Sequence, residues 1–266
     1  MLPTPSTSHV NTDIIYEPAE DSFLLLDTLS SPTETSFLTQ RFRPQKSFAS
    51  TASHTSPLVV EIGVGSGIVI SFVTAYAQHI FGRSDILTLG TDVNTFAAKA
   101  AAETVRKALH YRDTTGHVVK CNRTTGLPYL SSCVADLTSF LVNGTVDVLL
   151  FNPPYVPTDE IPEYIQQEKK NTDRSRDCND ESDLITLSWA GGVQGMEVTN
   201  RLLEQIQSVL SPERGVAYVL LCSQNKPLNV RDRVRSWGIH WSAEIVGSSG
   251  KTAGWEKLVV LRIARL

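Results

Sequence analysis

From Pro57 onward, short apolar runs alternate with segments of helical period. Leu58-Val59-Val60-Glu61-Ile62 reads as a strand covered on both faces, because its apolar residues are contiguous rather than alternating. A glycine-rich turn follows, Gly63-Val64-Gly65-Ser66-Gly67, and then a helix over Ile68 to Ile80. Ile86 to Thr91 is a second strand, and the Ala-rich stretch Thr95 to Leu109 a second helix. His117-Val118-Val119-Lys120-Cys121 reads as a short third strand and Val146 to Phe151 as a fourth. Thr199 to Leu210 is amphipathic and is stopped by Ser211-Pro212. Gly215 to Cys222 is a fifth strand, and Trp241–Gly247 with Lys257–Ile263 read as a closing antiparallel pair. Strands that alternate with helices imply a mostly parallel, doubly wound α/β sheet covered on both faces.

The rest of the chain has weaker patterns. Residues 1–13 are polar and are expected to fray. Glu17-Pro18-Ala19-Glu20-Asp21 marks a helix start, with proline at its entrance and acids in its first turn. In that helix Phe23, Leu26 and Leu29 are expected to share a buried face. Residues 30–56 are rich in Ser and Thr and read as a flexible insertion. The expected organisation is therefore an N-terminal segment and helix (1–29) closing over the site, the insertion (30–56) and one catalytic domain (57–266). The polar stretch 158–183 reads as a loop or partly ordered lid.

Composition narrows the class. With 266 residues, 41% hydrophobic and 20% charged, the chain can bury the core of one large domain. A net charge of -4 argues against a surface built for nonspecific DNA binding. No stretch is apolar enough to span a membrane, and the start lacks a basic n-region and an apolar h-region. These features lead to the expectation of an intracellular protein, in the cytoplasm with the nucleus as a second compartment. Cys121, Cys133, Cys178 and Cys222 are scattered without metal-ligand spacing and read as reduced thiols. The six His residues show no triad spacing.

Candidate chemistry gathers at the strand ends. Glycines let the Gly63–Gly67 turn approach a ligand closely, and the next helix aims backbone N–H groups at it. The spacing is GxGxG, not the GxGxxG that reads a pyrophosphate. Asp92, ending the second strand, has the place of an acid that binds ribose hydroxyls, although it would also suit a helix N-cap. Asp136 follows the third strand and has the chemistry to accept from an adenine amino group, with Leu137 beside the base. It would serve equally as a solvated loop acid. Asn152-Pro153-Pro154-Tyr155 directly follows the fourth strand. The Asn side-chain carbonyl and a backbone carbonyl can each accept a hydrogen from one planar NH2 group. Two prolines remove backbone donors and stiffen the turn, and Tyr155 offers a flat face. As a bare motif it would also serve as a proline turn that caps a strand.

Taken together, these features resemble class I S-adenosylmethionine-dependent methyltransferases, and within them the HemK-type glutamine methyltransferases that modify release factors. Tyr16-Glu17-Pro18-Ala19-Glu20-Asp21-Ser22-Phe23-Leu24-Leu25-Leu26 is similar to the opening of the eukaryotic and archaeal catalytic subunit. So is Leu187-Ser188-Trp189-Ala190-Gly191-Gly192. The resemblance implies a seven-stranded sheet with an antiparallel edge. It implies S-adenosylmethionine as cofactor, held by Tyr16, Glu61, Gly63, Gly65, Gly67, Asp92, Asp136, Leu137 and Asn152. It implies that Asn152 and the Pro153 carbonyl grip a substrate amide beside Tyr155. It further implies a class I translation release factor as substrate, modified in its Gly-Gly-Gln loop, and a small zinc-binding activator as partner, covering the sheet edge near the third strand.

Other readings compete. An adenine N6 methyltransferase would present the same kind of nitrogen to Asn152-Pro153-Pro154-Tyr155, and the acidic chain counts against it. A nicotinamide-dependent oxidoreductase leaves that motif unexplained. A scaffold without cofactor binding is opposed by the intact Gly loop.

Overall fold

The computed structural model describes residues 2–44, 55–110, 128–162, 181–250 and 257–266. The chain opens with helices α1 (Glu20–Ser30) and α2 (Pro32–Arg41), then β1 (Leu58–Ile62), α3 (Ile68–Ala75) and α4 (Ala77–Phe81). β2 (Leu87–Asp92), α5 (Thr95–His110), β3 (Tyr129–Val134) and β4 (Val148–Phe151) follow. α6 (Glu181–Leu187), α7 (Glu197–Val209), β5 (Val216–Cys222), α8 (Pro227–Arg235), β6 (Trp241–Ser248) and β7 (Leu258–Arg265) complete it. The strands form one seven-stranded sheet in the order β3-β2-β1-β4-β5-β7-β6. β3, β2, β1, β4 and β5 run parallel, and β7 lies antiparallel between β5 and β6.

Alternate residues of the central strands feed two cores. Val59, Val148, Leu150 and Tyr218 face α1, α3 and α5. Val60, Ile62, Leu149 and Ala217 face α7 and α8. Both sheet faces are therefore covered, which is why the central strands are apolar runs rather than alternating ones. On α7, Leu202, Leu203, Ile206 and Val209 form the buried stripe, each worth about 1.5–3 kcal/mol of burial. β1 pairs with β2 on one side and β4 on the other. The chain thus reverses its winding between β1 and β4, and the crevice at their carboxyl ends is where such sheets take ligands.

Several expectations need correction. Residues 32–41 are a helix, not part of a flexible insertion. The Ser31 hydroxyl accepts the Glu34 N–H at 3.3 Å, Pro32 opens the first turn, and Arg41 sits in the last. Leu38 and Phe42 are buried in the core, and Glu34 is fully buried against Arg262. In α1 the buried apolar face is Leu25, Leu26 and Leu29, while Phe23 is 42% exposed. The helix read over Ile68–Ile80 divides at Tyr76, whose φ of -108° and ψ of 24° leave the helical region. The expected third strand at His117–Cys121 lies outside the described residues. The strand that pairs with β2 is Tyr129–Val134. Most of the expected lid, 163–180, also lies outside them.

The end of the N-terminal segment packs onto α5, where His9 Nε2 lies 3.2 Å from the Ala100 carbonyl and Val10 is partly buried. Ile14 and Ile15 bury against Ala97 of α5, and the Asn94 amide donates to the Ile14 carbonyl at 2.8 Å. Among the described residues no helix is long and apolar enough to cross a membrane, and Cys133 and Cys222 are not joined in a disulfide.

Candidate active site

A cleft of about 920 Å³ opens at the carboxyl ends of β1, β2 and β4, at the upper end of the usual size for a small-molecule site. Its floor is the turn between β1 and α3. The Val64 N–H donates to the Thr91 carbonyl at 2.8 Å, tying this turn to β2. Gly65 adopts a φ of +49°, and a Cβ there would meet open space. Its backbone therefore faces the cleft directly. Gly67 also has positive φ, +78°, but a Cβ there would lie 2.5 Å from the Ala101 Cα. Gly63 and Gly65 line the cleft and Gly67 does not. The third glycine is needed for packing α3 on α5.

Two carboxylates organise this floor. One Asp92 oxygen accepts the Gly65 N–H at 2.9 Å and the other accepts the Asn94 N–H at 2.8 Å. Burial pushes the Asp92 carboxyl up to about 6, against those two hydrogen bonds. Asp92 thus lines the cleft and holds its turn, while the cap of α5 is Asn94, whose Oδ1 accepts the Phe96 N–H at 2.9 Å. Glu61 is buried and accepts the Ile70 N–H at 2.7 Å. Burial holds its carboxyl well above the ordinary range, and the charge of Asp92 adds to the shift.

The remaining candidates arrive from other segments. Tyr16 lines the cleft beside Ile14 and Ile15. Asp136 and Leu137 lie after β3, and Leu137 is buried with a φ of 49°. The Asp136 carboxylate is paired with Arg201 of α7, which also lines the cleft. Asn152, Pro153 and Tyr155 lie on its opposite side. The Asn152 Oδ1 is buried and has no hydrogen-bond partner among the described residues. Such an atom costs about 1–3 kcal/mol unless a ligand satisfies it.

The segment after the turn is clamped. The Val156 N–H donates to the Trp189 carbonyl at 3.0 Å, and the Gly191 N–H returns to the Val156 carbonyl at 2.8 Å. Tyr155 Oη donates to Asp21 Oδ2 at 3.4 Å, linking the motif to the first turn of α1. Asp21 and Ser22 are buried and line the cleft. In the sequence Asp21 marks a helix start and belongs to the Tyr16–Leu26 resemblance, and neither feature points to its contact with Tyr155. Arg201 carries no local signal at all, since only the packing of α7 brings it to Asp136.

No family model matches the chain. Among curated proteins it is 31% identical to the eRF1 methyltransferase catalytic subunit mtq2 of Schizosaccharomyces pombe, covering 100% of this chain and 97% of that protein. It is also 31% identical to methyltransferase HEMK2 of Mus musculus, over 99% of this chain and 97% of the relative. The chain belongs to this methyltransferase family. A more distant relative, 26% identical over 95% of the chain and 92% of its own length, is a putative protein N5-glutamine methyltransferase of Methanocaldococcus jannaschii.

As in that family, the methyl donor is S-adenosylmethionine. The residues present fit it: a cleft of adequate volume, a side-chain-free approach at Gly65, a carboxylate at Asp92 suited to hydroxyl donors, and the unsatisfied Asn152 oxygen. Among the described residues no group of His, Cys, Asp or Glu is placed to hold a metal.

Proposed function

We propose that this protein methylates the side-chain amide nitrogen (N5) of a glutamine in the Gly-Gly-Gln loop of a class I translation release factor. The observation that carries the reading is the buried, unpartnered Asn152 Oδ1 in a cleft beside two prolines and an aromatic ring. The names of the fission yeast and archaeal relatives, an eRF1 methyltransferase subunit and a putative N5-glutamine methyltransferase, point the same way.

The bound cofactor supplies a methyl group on a sulfonium, an electrophile that a positioned nitrogen can attack. The chain's own part is to position. Asn152 Oδ1 and the Pro153 carbonyl would each accept one hydrogen of the substrate NH2, fixing the nitrogen and raising its electron density. Pro154 has no N–H to compete for those acceptors. The Tyr155 ring would pack beside the planar amide, with its hydroxyl steadied by Asp21. Gly63, Gly65, Asp92, Tyr16 and Leu137 would hold the cofactor, with Asp136 steadied by Arg201. Such positioning can supply about 7–11 kcal/mol. No covalent enzyme intermediate is needed.

The reading includes a partner. β3 is the outer strand of the sheet among the described residues. Its Leu130 is 53% exposed and its Val134 51%. An open edge with apolar side chains is a liability unless covered, and strand addition is a common way to cover it. A small zinc-binding activator docked there would make the heterodimer that the word "subunit" in the fission yeast relative's name suggests. Cytoplasmic residence would bring the enzyme to its release factor.

Peptide mass mapping of a release factor after incubation with the enzyme and cofactor tests the substrate. A single methyl on the glutamine of the Gly-Gly-Gln loop is expected, and a modification found only elsewhere would sink the reading. Expression with and without the activator tests the partner: a fully active, well-behaved monomer would remove it.

A further inference from the structure

Asn225 lies just beyond β5, in a short turn over Ser223–Asn225. It is 3% exposed and is absent from the cleft lining. Both polar atoms of its side chain are hydrogen-bonded within the protein. Oδ1 accepts the Cys222 N–H at 2.8 Å. Nδ2 donates to the carbonyls of Gln194 at 3.0 Å, Tyr155 at 3.2 Å and Gly195 at 3.2 Å.

Those three carbonyls come from two segments that have no covalent reason to meet. Tyr155 ends the Asn152-Pro153-Pro154-Tyr155 turn. Gln194 and Gly195 belong to the turn before α7, and both have positive φ, 58° and 66°. A Cβ on Gly195 would lie 1.9 Å from the Tyr155 carbonyl oxygen, so the two backbones are pressed together. Converging carbonyl dipoles repel, and one shared NH2 group between them offsets that repulsion. Without the Asn225 amide, the part-buried Tyr155 carbonyl would keep the weak Cys222 thiol donor at 3.9 Å, a poorer hold on a carbonyl that is three residues from Asn152.

We propose that Asn225 is a positioning residue for methyl transfer, whose Nδ2 group fixes the Tyr155 carbonyl and thereby the acceptor geometry of Asn152 and Pro153. It touches neither substrate nor cofactor and acts through the turn it holds. The inference rests on the reading of that turn as the substrate grip.

Two substitutions separate this role from a simple cap on β5. Asn225→Asp keeps the oxygen that accepts the Cys222 N–H and loses the donor. Asn225→Ala loses both. Single-turnover methyl transfer to the release factor is measured for each full-length variant at saturating cofactor, together with cofactor Kd by titration. Both variants are expected to transfer about a hundredfold more slowly, the scale on which a remote misplacement of about 1 Å acts, with cofactor Kd within threefold of the wild type. Transfer by Asn225→Asp within threefold of the wild type would overturn the proposal, because the cap alone would then suffice. A cofactor affinity that falls in step with the rate would overturn it too, since the damage would then be general. If one variant does not fold, the other decides, and transfer by it within threefold of the wild type overturns the proposal. A wild type that leaves the release factor unmodified sinks the substrate reading. An active wild type beside an equally active Asn225→Asp sinks this one.

Discussion

The Asp92 carboxylate accepts the backbone N–H of Gly65 at 2.9 Å, so the end of β2 fixes the turn that follows β1. The same carboxyl is pushed by burial from 3.8 to about 6. A folded-state value above the ordinary one means that the folded protein holds the proton more tightly than the unfolded chain. Its contribution to stability is complete below about pH 4 and is lost as pH rises through about 6. Glu61, shifted in the same direction, adds to that loss. Without cofactor, unfolding free energy is therefore expected to fall from pH 4 to 7 by more in the wild type than in Asp92→Asn. Hydroxyl donors from a bound ribose favour the ionised carboxylate, so cofactor affinity should weaken as pH drops below about 6. Denaturant titrations and cofactor titrations across that range check both signs; identical pH slopes in Asp92→Asn would remove Asp92 from the role.

Asn152→Ala is expected to cut single-turnover methyl transfer by about a hundredfold or more while leaving the fold intact. It removes a buried oxygen that has no partner among the described residues, so unfolding free energy should hardly fall. Tyr155→Ala should slow transfer with less effect on cofactor affinity. Rates and cofactor Kd measured on the same preparations decide, and near-normal transfer in Asn152→Ala would end its proposed role.

Gly67→Ala is a test of packing, not of binding. The added Cβ would meet the Ala101 backbone at 2.5 Å, at a φ of +78°. Overpacking and left-handed backbone together should cost about 3 kcal/mol. Urea unfolding reads it directly. A variant as stable as the wild type with weakened cofactor binding would assign this glycine to the ligand instead.

Much of the fold is legible because the central strands are uninterrupted apolar runs and the glycine turn breaks the first one cleanly. Gly63, Asp92 and Asn152 are legible as candidates for the same reason, each at or just after the end of such a run, whereas Tyr16 and Asp136 are not. What was missed depends on contacts distant in sequence. Ser31-Pro32-Thr33-Glu34 carried a helix-start signature, but the surrounding Ser and Thr masked it, and the partners that make Glu34 buryable, Tyr218 and Arg262, are remote. Arg201 and Asn225 look like ordinary polar residues until α7 and the end of β5 are placed. Phe23 shows the limit of helical periodicity, since a half-turn decides which neighbour is buried.

The pair that anchors α2 should be costly to break. Arg262 donates to both Glu34 oxygens, at 2.8 and 2.9 Å, and Tyr218 Oη donates to Glu34 at 2.7 Å. Glu34 is 0% exposed, so Arg262→Ala would leave a buried carboxylate without its cation, at about 3–5 kcal/mol. Glu34→Gln in the same chain should recover part of that loss, a coupling a double-mutant cycle measures. Additive effects would show that the pair is not acting as one unit.

The central claim is that the planar nitrogen offered to Asn152 belongs to a protein glutamine. One competition experiment tests it most directly: labelled S-adenosylmethionine, the enzyme with its activator, and three acceptors presented under the same conditions. These are a release factor, the same factor with the glutamine of its Gly-Gly-Gln loop changed to asparagine, and an adenine-containing DNA. Label is expected on the first alone, because the asparagine amide is one methylene too short to reach the cleft. Label on adenine with none on the release factor would contradict the account.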